Sequence, residues 1–135
     1  MKVLLIQEQD RTIVKIPMPG TNLEELAAGM LNARIVDQSE LPTDREFRDA
    51  WTVFGTVDLE KAKDVWRQKI RAVRNKRLED LDIKWMRAME KGELRVAESV
   101  AADKQVLRSL PQREEISRAR NLAELKSFWP SILEG

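Results

Sequence analysis

Between Gly55 and Gly92 the chain contains neither proline nor glycine, and from Asp58 to Lys91 it reads DLEKAKDVWRQKIRAVRNKRLEDLDIKWMRAMEK. A run of this length, rich in Leu, Ala, Arg, Lys, Glu and Met, predicts one continuous helix. Asp58 supplies a side-chain cap at its start, and Gly92 can take the left-handed conformation that ends it. At 1.5 Å per residue such a helix is roughly 50 Å long, more than a compact domain of this size needs. Part of it is therefore expected to meet something other than the chain's own core.

The apolar residues of this helix fall into two runs, Leu59, Ala62, Trp66, Ile70 and Val73, then Leu78, Leu81, Trp85 and Met89. Steps within each run are three or four, but the step from Val73 to Leu78 is five. At about 100° per residue this turns the apolar face by roughly a quarter of a circle. Arg77 occupies the place where the first stripe would continue. The two halves either face different surfaces or the helix bends between Arg74 and Arg77. With no Pro or Gly to force a kink, the pattern favours one helix touching two neighbours.

Around this element the sequence predicts an α+β protein. Residues 1–57 form a small N-terminal β-β-α-β-like unit with an aromatic connecting arm, and residues 58–135 a C-terminal helical bundle of three helices. Val3 to Ile6 and Thr12 to Ile16 read as a hairpin joined by the polar loop QEQDR, ended by Pro17, Pro19 and Gly20. Thr21 with Glu24 forms a capping box for a short helix ending near Asn32, and Ala33 to Val36 suits a third strand. Glu46 to Phe54, with Phe47, Trp51, Val53 and Phe54, fits either one helical turn followed by an extended piece or an irregular arm with buried aromatics, and reads mostly as coil. Beyond Gly92, the residues Leu94, Ala97, Ala101, Leu107 and Leu110 mark a helix that folds back antiparallel and stops at Pro111. A last helix starts at Asn121, capped with Glu124, and ends before Pro130.

The 135 residues include no Cys, no His and no Tyr. Disulfides, zinc-thiolate sites, Ser-His-Asp and Cys-His catalysis are thereby removed, and with glycines only at 20, 29, 55, 92 and 135 there is no Gly-rich phosphate loop. Glu79, Asp80 and Asp82 could in principle hold Mg²⁺, but pairing at i to i+3 or i+4 with Lys76 and Lys84 explains them more simply. No catalytic residue, cofactor or metal is expected, and the chain reads as a non-enzyme. No apolar run approaches the roughly 20 residues of a membrane span, and no secretory pattern opens the chain, so a cytoplasmic location is expected.

Net charge is only +1, yet Lys61 to Arg77 carries eight cations against Asp64 alone. Basic helix 61–77 could bind nucleic acid, with Trp66 adding stacking. The cations are spread around the cylinder, however, and only Arg67, Arg71 and Arg74 line up at i, i+4 and i+7. Trp66 also lies in the apolar stripe, so a solvated helix with ion pairs is the simpler reading. Trp and Arg are also the residues that most often carry binding energy at protein interfaces.

The order of IVDQSELPTDREFRDAW (Ile35 to Trp51), the long helix Asp58 to Glu93, KQVLRSLPQ (Lys104 to Gln112) and LAELKSFWP (Leu122 to Pro130) resembles small tailed-bacteriophage and prophage proteins of the tail-assembly chaperone-like and tail-fibre-associated kind. The resemblance covers roughly 90 of the 135 residues and leaves out the first 32. It implies a non-enzymatic protein that binds tail or tail-fibre components, working in the host cytoplasm during assembly or retained in the virion. It transfers no catalytic residue. The expected partner surface is Trp85, Met86 and Met89 from the second stripe with Arg67, Arg71 and Arg74 beside it. The bland reading of the same Trp and Met residues is that they fill the bundle core. Self-association stays open, and nucleic acid is the less favoured partner.

Overall fold

The computed structural model describes residues 1–134. The chain forms two compact units, Met1–Val65 and Trp66–Gly135, and the division falls inside the long helix.

In the first unit, β1 (Lys2–Glu8), β2 (Arg11–Lys15) and β3 (Ala33–Asp37) make an antiparallel sheet in the order β2-β1-β3. β1 and β2 pair further than their apolar residues suggest: Gln7 faces Thr12 and Glu8 faces Arg11, leaving a two-residue turn in which Gln9 has φ 53°. Such tight hairpin turns require positive φ because their twist must match that of the strands. Alternation puts Val3, Leu5 and Val36 on one face, buried with Val14, Leu41 and Val53 against them. Helix α1 (Leu23–Ala28) packs against β3 and β1.

Two expectations are corrected at α1. Its cap is Asn22, whose Oδ1 accepts from the Glu24 and Glu25 N–H groups, and not Thr21. It ends at Ala28 before Gly29, short of Asn32. Thr21 and Asn22 are both good capping residues, and the amide that stands closer to the apolar run takes the role.

The aromatic arm is more ordered than coil and takes the form of a helical turn followed by an extended piece. A single 3-10 turn at Arg48–Ala50 precedes an isolated antiparallel bridge between Trp51 and Val57. Phe47 and Trp51 are buried, and Thr12 Oγ1 donates to the Trp51 carbonyl at 2.7 Å, tying the arm to β2. Phe54 stays exposed, with the Arg34 guanidinium 5.2 Å from its ring centre.

Helix α2 spans Leu59–Glu90 without interruption. Asp58 Oδ1 accepts from the Glu60 and Lys61 N–H groups as the expected cap. At the far end Gly92 has φ 71°, its N–H donates to the Met89 carbonyl, and the Glu93 N–H donates to the Ala88 carbonyl. That pair of bonds is a Schellman closure. In the second unit α3 (Leu94–Ser109) then runs back along α2, followed by α4 (Glu114–Arg118) and α5 (Leu122–Ser127), with single 3-10 turns at Leu110–Gln112 and Ser131–Leu133. α4 adds a helix to the three expected. It has only five residues and one buried apolar side chain, Ile116, so it leaves no periodic signal. No helix among the described residues is long and apolar enough to cross a membrane.

Candidate functional site

The two apolar seams of α2 meet different fates. On the first, Ala62, Trp66 and Ile70 are buried. Trp66 Nε1 donates to the Phe128 carbonyl at 3.0 Å, and its ring meets Trp129 edge to face with centroids 5.7 Å apart. Lys69 Nζ lies over both rings, 4.9 Å and 5.5 Å from their centres. This arrangement fastens the segment after α5 to the first half of α2, and it leaves no ring face of Trp66 open for a base.

The basic run is partly consumed inside the protein. Lys63 is buried and its Nζ donates to Glu60, while Arg67 Nη2 donates to Ser117 Oγ at 3.1 Å. Arg74 donates through Nε and Nη2 to Asn75 Oδ1, and Arg71 is half-buried. Arg74 and Trp85 are eleven residues apart, roughly 16 Å along a helix. The expected arginine row and the expected Trp-Met set therefore occupy successive stretches of α2.

The second seam stays open. Leu78 and Leu81 are half-buried, but Trp85 is 37% exposed, Met86 57% and Met89 44%. Across the Gly92 turn, Leu94 is 60% exposed and Val96 47%. The buried apolar residues in this end of the hairpin are Ala88, Ala97 and Val100. Small side chains thus fill the contact between α2 and α3, and the large ones stand outside it. Lys104 holds the two helices in register, pairing with Asp82 and placing its Nζ 5.9 Å from the Trp85 ring centre.

The periodicity assigned to α3 is corrected in one respect. Its inward stripe is Ala97, Val100, Lys104 and Leu107, and Leu94 and Ala101 are exposed. Leu94 and Val96 consequently join Trp85, Met86 and Met89 as unburied apolar side chains within a turn or two of Gly92. Their membership could have been read from the antiparallel fold-back, which returns the start of α3 beside the end of α2.

Chemically, the hairpin end offers an indole, two thioethers and two aliphatic chains. Met adapts its shape to an incoming surface, and Trp carries large apolar area together with a polar N–H. No group of three acidic side chains poised for a metal occurs among the described residues, and Asp82 is engaged with Lys104.

Protein-family models, curated proteins and solved structures give no match to this chain. What it does must be argued from the arrangement of its own residues.

Proposed function

We propose that this chain is a non-enzymatic binding protein of tailed-phage tail or tail-fibre assembly, an assembly factor or a minor virion adaptor that engages its partner through the end of the α2-α3 hairpin. The observation that carries the binding reading is the inversion at that end, where alanines occupy the seam and Trp85, Met86 and Met89 face outward. Large side chains exposed together mark an interaction site more often than chance surface. The partner class rests on the resemblance of Ile35 to Trp51, Asp58 to Glu93, Lys104 to Gln112 and Leu122 to Pro130 to small tailed-phage proteins. On this reading the protein acts in the host cytoplasm, with or without retention in the particle.

The test is capture of purified tail and tail-fibre proteins by the immobilised chain, beside a Trp85→Ala/Met89→Ala variant and a DNA control. The proposal expects the wild type to retain a tail or fibre protein, the variant to lose it at unchanged helicity, and retention to survive moderate salt. Equal retention by both proteins would overturn the assigned surface. DNA retention falling steeply with salt would favour the basic helix 61–77 as the working surface instead.

A further inference from the structure

A second exposed face of α2 lies away from the hairpin seam. Ile83 is 50% exposed at its centre. At 100° per residue, Lys76, Glu79, Asp80, Arg87 and Glu90 all fall within about 60° of it. None of these five charged side chains has an ion-pair partner within 4.0 Å among the described residues, although i to i+3 and i+4 spacings would permit several. Beside Ile83, a groove of about 410 Å³ opens between α2 and α3, with Leu81 and Leu107 in its wall and Asp80 and Arg87 at its rim.

Four of these five charges are arranged with inverted symmetry about Ile83, and the fifth, Asp80, is mirrored by Met86. Seven residues before it stands Lys76 and seven after it Glu90; four before it stands Glu79 and four after it Arg87. A pattern that changes sign on reversal is complementary to itself run backwards. This is the requirement for an isologous two-fold contact between antiparallel helices.

We infer that α2 pairs antiparallel with α2 of a second copy of this chain, with Ile83 on the two-fold axis. In that arrangement Arg87 of each copy lies against Glu79 of the other, Lys76 lies against Glu90, and the two Ile83 side chains exclude water at the centre. Asp80 and Arg87 of one copy stand on the same side of the axis, so the second copy's guanidinium enters on the opposite side, beside Glu79, and the groove rim stays uncovered. The apolar part is small, which makes the dimer weak and gives the charges control of its register. Trp85 and Met89 point away from this face, whereas Met86 stands about 60° from Ile83 at its edge, so the pairing and the proposed tail partner share that one side chain. It would set two hairpin ends in opposite directions, roughly 27 Å apart along the paired helices.

Sedimentation equilibrium over a wide concentration range tests this with the full chain, Arg87→Glu, and Glu79→Lys. The wild type is expected to move from monomer to dimer mass as concentration rises, and each variant alone to weaken dimerisation at least tenfold. An equimolar mixture of the two variants should regain dimer mass, because Arg87→Glu on one copy then meets Glu79→Lys on the other, and the untouched charges meet in the second junction. Misfolding cannot produce that recovery. A wild type that stays monomeric throughout, variants that dimerise as it does, or a mixture that stays as weakly associated as its components would each overturn the pairing.

Discussion

The Trp66 indole donates its N–H to the Phe128 carbonyl at 3.0 Å while its ring edge meets Trp129, so one buried side chain on α2 holds the chain after α5 by two different interactions. Trp66→Phe keeps most of the apolar area and removes the donor, leaving the Phe128 carbonyl without that partner. The expected loss is about 2 kcal/mol in chemical denaturation. A loss within 0.5 kcal/mol would mean that the bond contributes little.

Trp85 makes the contrast. On the second seam it is 37% exposed, with the Lys104 ammonium 5.9 Å from its ring centre. Trp85→Ala should cost about 1 kcal/mol or less in the same measurement. A cost comparable to that of a buried Trp would show the seam to be sealed.

Gly92 and Gly29 should respond oppositely to alanine. A Cβ at Gly92 meets nothing within 4 Å, so the penalty of Gly92→Ala comes from its φ of 71° alone and amounts to about 1 kcal/mol. Gly29 has φ −85°, and its nearest neighbour for a Cβ is the Leu26 carbonyl at an ordinary 3.8 Å. Gly29→Ala should leave stability unchanged or raise it by up to about 1 kcal/mol, since alanine restricts the unfolded chain. Thermal melts of both variants check the pair.

These responses follow from signals that were legible in the sequence to different degrees. Asp58 and Gly92 bounded α2 to within a residue because each end carries its own chemistry, a side-chain acceptor at one and a positive φ at the other. The five-residue step from Val73 to Leu78 also marked a real change, from buried Trp66 and Ile70 to exposed Trp85 and Met89. Periodicity alone did not tell that the second seam would stay open, because exposure depends on what folds against it. Here α3 meets it with Ala97 and Val100 and leaves the larger residues uncovered. The Arg67, Arg71 and Arg74 row was legible as a row, but the hydrogen bond of Arg67 to Ser117 depends on an α4 too short to announce itself.

Asp37 gives the fold a defined response to acid. The Ser39 backbone N–H at 3.0 Å, then the Ser39 hydroxyl at 2.8 Å, hold its carboxyl below the ordinary value of 3.8. A depressed folded-state value means that the carboxylate favours the folded form. Its contribution is complete above pH 3.8 and is lost as pH falls through the lower folded-state midpoint. An NMR titration should place the Asp37 midpoint below 3.8, and Ser39→Ala should raise it. A midpoint at or above the ordinary value would contradict the role of Ser39.

The central claim is that α2 carries an apolar seam which its own chain leaves open for another protein. Hydroxyl-radical footprinting of Trp85, Met86 and Met89, in the isolated protein and in its complex with a captured tail or fibre protein, tests this most directly. The account predicts fast oxidation of all three in the isolated protein and strong protection in the complex, while Trp66 stays slow in both. Protection of Trp85 and Met89 in the isolated protein, or reactivity unchanged by the partner, would contradict it.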